Sequence, residues 1–150
     1  MNQQPRRKPT SKDPKYSALD FFTYDLFLPA GTTLAPAANV PLTVNIDASA
    51  DFFWLKATQH ATVGNASTTN SAIQIPECNV LITDTGTGYQ LMNAQVPIYN
   101  LFGTAELPFI LPVEKFFGAR AQIQVQVFNV STGTTYSSLH LSLIGLKAYF

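Results

Sequence analysis

Cysteine and charge are what this chain is short of. Cys78 stands alone, so no disulfide can form within the chain and no CxxC metal or redox pair exists. A buried, inert thiol is the expectation for it. Charged residues make up only 12% of the 150 residues, about half the usual share. Long apolar runs are missing too: no stretch reaches the roughly 18 residues of a membrane span. The first 15 residues have no apolar centre, so neither a secretory signal nor Sec export is expected.

The motifs of chemistry are equally sparse. His60 and His140 are the only histidines, in no His-x-His or HExxH spacing. A metal site would need both of them to meet an acid through the fold. No GxSxG elbow is present. The GTG within residues 84–88 lacks both the following helix and the Lys-Ser/Thr pair of a phosphate loop. Asp47 and Asp51 read as turn-makers that bond their own backbone. Asn65-Ala-Ser67 and Asn129-Val-Ser131 match the glycan acceptor pattern, which carries no weight without a signal peptide. The expectation is no enzyme, no catalytic residues, no metal and no cofactor.

Short alternating runs are present in number. Ala121, Ile123, Val125 and Val127 alternate with Gln122, Gln124 and Gln126. After residues 131–135, STGTT, Leu139, Leu141 and Leu143 alternate with Ser138, His140 and Ser142. Period two means a strand with one buried face, and the pair reads as an antiparallel hairpin with a five-residue loop. Residues 21–28 place Phe22, Tyr24 and Leu26 on one face and Phe21 and Phe27 on the other, so the second face suits a partner. Residues 40–46 alternate with Pro41 at an edge position. Residues 52–63 hold the only Trp, with Phe53, Leu55 and Ala57 on one face and Phe52, Trp54 and Lys56 on the other. Residues 73–75, 79–83, 89–92 and 96–99 read as short strands. No amphipathic helix is found; residues 111–117 would form one turn at most. The phase of the last run shifts near Gly145, which predicts a bulge there. Eight or nine short strands, with under about 10% helix, read as an all-β antiparallel sandwich of jelly-roll type. The low charge points to buried subunit contacts in a homodimer or homotrimer, with Phe21, Phe27, Phe116 and Phe117 as contact candidates.

Charge is unevenly placed. Residues 1–15 carry Arg6, Arg7, Lys8, Lys12 and Lys15 against Asp13, a net of +4, and residues 16–150 carry four bases against eight acids, a net of −4. Broken by Pro5, Pro9 and Pro14, residues 1–15 read as an extended basic arm before a single sandwich domain, residues 16–150. Without interleaved aromatics the arm is not expected to bind nucleic acid.

Certain pieces carry a resemblance. They are Ala50-Asp51-Phe52-Phe53-Trp54, Val96-Pro97-Ile98, Leu101-Phe102-Gly103 and Pro108-Phe109-Ile110-Leu111-Pro112. Residues 116–121 and a last strand with Ile144-Gly145-Leu146-Lys147 complete them. Together, over roughly residues 21–150, they resemble the jelly-roll cement, or decoration, proteins of tailed-bacteriophage capsids. The resemblance implies a virion protein made in the host cytoplasm and placed on the capsid surface. It implies repeated copies bridging major capsid protein subunits, with the five arm bases touching that partner and no contact with membrane. A second reading is a carbohydrate- or receptor-binding sandwich of a fibre or tail, with Trp54 and residues 64–71 as its contacts.

Overall fold

The alternating runs become strands in a computed structural model that describes residues 9–63 and 75–150. Among these residues there are nine strands: β1 Ala18–Phe27, β2 Asn39–Asn45, β3 Ala50–Val63, β4 Cys78–Asp84, β5 Tyr89–Gln90, β6 Val96–Pro97, β7 Phe109–Phe117, β8 Gln122–Asn129 and β9 Tyr136–Tyr149. Helical structure among them is a single 3-10 turn, Ile98–Asn100.

Two antiparallel sheets pack face to face. Sheet I runs β1-β9-β3-β7; sheet II runs β2-β8-β4-β5, with β6 added to β4. The pairs β1 with β9, β2 with β8, β3 with β7 and β4 with β5 nest inside one another. That wrapping is the jelly roll expected from the sequence. Pro41 sits on β2, an edge strand, where its missing N–H does no harm.

The hairpin reading of residues 121–143 is wrong in one respect. β8 and β9 are strands, but they lie in different sheets. Ile123, Val125 and Val127 point inward from sheet II, and Leu139, Leu141 and Leu143 point inward from sheet I, all fully buried in one core. The strands thus meet face to face rather than edge to edge. Residues 130–135 form an arch across the end of the sandwich, tied by a buried knot. Asn129 Nδ2 donates to the carbonyls of Leu34 (3.0 Å) and Thr134 (2.8 Å), and its Oδ1 accepts from the Ser131 N–H (3.0 Å). Alternation reports which side chains are inside; it does not report which neighbour a strand takes.

The bulge also lies elsewhere. β9 keeps its register against β1 without a break, and Gly145 and Lys147 stay on the inward face. The irregularity is in β3, where the register shifts between Trp54 and Lys56, leaving Leu55 as the extra residue. Phe52 and Trp54 face the core before it, and Ala57 and Ala61 after it. The faces expected for residues 52–57 therefore exchange at Leu55. Trp54 Nε1 donates to the Lys56 carbonyl at 2.7 Å, which satisfies the indole inside the bulge. Gly145 lies opposite, and an added Cβ there would strike the Phe53 carbonyl and stand 3.0 Å from Phe52 Cζ.

Smaller corrections follow the same logic. Residues 111–117 belong to strand β7 rather than a helical turn. β7 is the free edge of sheet I, which tolerates Pro112, and its register with β3 jumps from Lys115 to Ile110. β5 and β6 are two residues each, shorter than expected, and Ile75 lies outside any strand. Residues 73 and 74 fall outside the described residues.

Gly145→Ala should lose about 1–3 kcal/mol or more in a urea titration, because backbone rather than a flexible side chain fills the space. Gly133→Ala, with nothing among the described residues near its added Cβ, should leave the midpoint within about 0.5 kcal/mol of the parent.

Candidate interaction surface

Antiparallel register places the outward side chains of sheet I in rows. One row runs Phe21, Leu146, Phe53, Phe116 across β1, β9, β3 and β7. The next runs Thr23, Ile144, Lys56, Ile110. A third carries Phe27, His140 and His60. Phe21 is 73% exposed, Phe27 54% and Ile110 65%, so large apolar groups stand in solvent on this face. Phe150 is 63% exposed, while Val113 on β7, though 75% exposed, borders the cleft between the sheets rather than this face.

The sequence expected an extended basic arm over residues 1–15. Its second half folds back instead. Residues 10–16 make two turns, closed by Asp13 N–H to Thr10 O (3.0 Å) and Tyr16 N–H to Asp13 O (3.2 Å). Pro9 and Pro14 are compatible with such turns. Ser11 donates through its N–H (2.8 Å) and hydroxyl (2.7 Å) to the two oxygens of Glu114. The Tyr16 ring meets Phe53 edge-on at 5.6 Å and lies 6.0 Å from Phe150. It thereby covers one end of the apolar row.

Asp51 is the hub of this docking. Its carboxylate is buried and accepts from Tyr16 OH (2.7 Å) and from the Ala119 N–H (2.8 Å), with Lys15 Nζ at 3.4 Å. Lys15 also hangs over the Tyr16, Phe116 and Phe150 rings at 4.6, 5.9 and 5.6 Å. Asp47 likewise reaches across the fold, where it pairs with Lys147, while its own N–H donates to Tyr24 OH at 3.1 Å. Both aspartates were expected to serve their own turn; both serve distant partners. Lys147 is buried, with Nζ 3.4 Å from the Phe22 ring centroid. Burial, the largest single effect, lowers Lys147, but the Asp47 hydrogen bond together with the charges of Tyr24, Asp47 and Tyr149 outweighs it, so Lys147 is raised.

The outer face of sheet II differs in kind. Gln122, Gln124 and Gln126 flank Asn45, Thr43 and Pro41 on β2 and Thr83 and Leu81 on β4, with no charge among them. Gln122 Nε2 donates to Asn45 Oδ1 at 3.0 Å and Gln126 Nε2 to Asn39 Oδ1 at 2.7 Å. Between the sheets an apolar cleft of about 330 Å³ opens beside Trp54, Tyr89, Met92, Phe109 and Lys115.

Of the residues singled out from sequence, Arg6, Arg7 and Lys8 lie outside the described residues, as do residues 64–71. Lys12 is exposed, and Lys15 is engaged by the chain's own Asp51. Phe21 and Phe27 stand free on the outer face; Phe116 is half-buried beneath Lys15. Phe117 is a correction. It is 1% exposed, turned inward beside Trp54 at 6.5 Å, and no second chain could reach it. Adjacent residues on a strand face opposite ways, so only one of the Phe116–Phe117 pair could have been outside. Leu19, Ile110 and Val113 went unmarked; the first shares the outward parity of Phe21, which is a signal the sequence offers. Among the described residues no group of three or more His, Cys, Asp or Glu gathers to hold a metal, and no helix is long and apolar enough to cross a membrane.

No family model and no curated protein matches the chain. Among solved structures it is similar to the crystal structure of the infectious bursal disease virus VP2 subviral particle, at 12% identity and a TM-score of 0.37, over 95% of this chain and 41% of that one. The chain thus spans less than half the length of that VP2 chain.

Substitutions at the hub should rank by burial. Asp51→Ala should cost about 2–4 kcal/mol, since it strips several donors of a buried acceptor. Tyr16→Phe should cost about 1.5–3 kcal/mol, and Lys15→Ala, at an exposed pair, roughly 0–1 kcal/mol. Equal effects in chemical denaturation would contradict this account of the docking.

Alkaline pH should destabilise the fold. Burial pushes the Cys78 thiol up to about 12, with Glu77 adding to the rise. Burial also raises Tyr24 and Tyr136, against the lowering effect of N–H donors from Asp47 and Glu77. In each, the folded state holds the proton more tightly than the unfolded chain does. Stability is therefore full below the unfolded values, roughly 8.5 for a thiol and 10 for a tyrosine, and is lost as pH climbs toward the folded ones. The urea midpoint should hold to about pH 8 and fall above it, with Cys78→Ala delaying the onset. A midpoint that is flat through this range would refute the assignment.

Proposed function

We propose that this chain is a structural virion protein that binds the outside of a phage capsid, bridges major capsid protein subunits and associates with its own copies. The observation that carries the reading is the outer face of sheet I, where Phe21, Phe27 and Ile110 are each more than half exposed. Large apolar side chains exposed together on one sheet face favour an assembly contact. The second sheet offers an uncharged amide face, also suited to close packing against protein. The resemblance of residues 21–150 to cement proteins supports the same role. A jelly roll by itself serves capsids, lectins and other functions alike, so the surface rather than the fold decides.

The reading assigns no catalysis, no nucleic acid and no membrane to the chain. Lattice repetition makes weak contacts sufficient, because each bound copy is held by several neighbours. Lys15 is already neutralised by Asp51, so Arg6, Arg7, Lys8 and Lys12 are the arm bases assigned to an acidic capsid surface. The sugar-binding alternative loses its natural platform, since Trp54 is 2% exposed and cannot stack on a ring.

Electron microscopy of the native particle should show the chain in repeated copies on the shell. Its absence from purified particles would remove the reading. Light scattering tests the self-contact directly: the parent should exceed a monomer's mass, and Phe21→Asp with Ile110→Asp should restore the monomer while the melting temperature holds. A monomeric parent would sink the self-association.

A further inference from the structure

The cross-strand row at the far end of sheet I brings together the chain's two histidines and an acid. His60 on β3 is the register partner of His140 on β9, and their ring centroids are 6.5 Å apart. His140 Nδ1 lies 2.7 Å from Asp25 Oδ2 on β1. Asp25 Oδ1 in turn accepts from the Ser142 hydroxyl at 3.0 Å. Phe27 stacks on the other side of the His140 ring, with centroids at 5.6 Å and planes 24° apart. The His140 ring is thus fixed by a carboxylate on one nitrogen and by a stacked aromatic on one flank, and its Nε2 is left for a ligand. His60 is exposed beside it.

We propose that His60 and His140 form a two-imidazole site for a zinc-class divalent ion, with Asp25 as the positioning carboxylate. A metal-bound imidazole usually gives its second N–H to a carboxylate, which sets the tautomer and raises ligand basicity. Asp25, itself held by Ser142, occupies that place. Zinc–imidazole bonds of about 2.0–2.1 Å bring two rings on one ion to centroids roughly 5–6 Å apart. A change of rotamer at exposed His60 closes the remaining distance. The ion keeps open positions on a solvent-facing sheet, which water or a donor from another chain fills. The site stands independently of the capsid reading.

The test is calorimetric titration of the full chain with ZnCl2, with MgCl2 as the hard, oxygen-seeking control. Zinc should bind saturably at one ion per chain, and magnesium should not. His60→Ala and His140→Ala should each abolish the zinc heat, and Asp25→Asn should weaken it by about 10–100-fold. Melting curves without metal check that each variant is folded. The proposal is overturned if the parent shows no saturable zinc binding at millimolar concentration. It is equally overturned if either folded His variant binds zinc as the parent does.

Discussion

The constraint on which the rest depends is the position of β9. It is hydrogen-bonded on both edges, to β1 and to β3, and its inward side chains Leu139, Leu141 and Leu143 are fully buried. A strand so placed has no freedom of register, because a slip of one residue would turn the leucines outward and the serines in. Its neighbours adjust to it. β3 takes the bulge at Leu55, and Gly145 provides the space in which the two backbones approach. Lys147 follows on the same inward face, where it can be buried only because Asp47 and the Phe22 and Tyr24 rings surround its ammonium. One strand therefore sets the core, the bulge and the charged cap of the sandwich end.

The scarcity of charge has a structural counterpart. Asp25, Asp47, Asp51 and Glu114 each reach a partner on another segment of the chain. These acids act as internal ties rather than as solubilising groups. Asp51 and Glu114 are what pull residues 10–16 out of the extended state that their prolines and charge would otherwise favour. With these acids tied to partners in the chain, the outer face of sheet I mixes exposed Phe21, Phe27 and Ile110 with Asp25, Lys56 and the two histidines, while that of sheet II is amide-rich.

What the sequence made legible follows from this. Period two identified the strands and the inward residues Ile123, Val125, Val127, Leu139, Leu141 and Leu143, because burial acts on each strand separately. It could not say that β8 and β9 occupy opposite sheets, since a face-to-face pair and an edge-to-edge pair show the same alternation. Nor could it place the bulge: Gly145 marks where two backbones meet, but the extra residue fell on the partner strand. Asp51 and the His60, His140 and Asp25 group were equally hidden, because their members come from strands far apart in sequence and are joined only by register. Exposed Phe21 and Phe27 were legible, as the parity of β1 alone places them opposite Tyr24 and Leu26.

On the proposed assembly role, the outer face of sheet I is the surface that a partner would cover. Residues 10–16 shield only the end near Phe53 and Phe116, and they do so with the Tyr16 ring and with polar bonds at the rim. Phe21, Ile110 and Phe27 remain outside that shield. Exposed apolar area costs roughly 25 cal/mol per Å² relative to burial, so a second surface of matching shape would gain from closing over it. The docked segment would form the edge of such a contact, with Glu114 and Asp51 already satisfied and so adding little desolvation cost on closure. Charges already satisfied within the chain would lower the cost of such a contact, and in the proposed role the arm, the hub and the exposed face would act together in that sense.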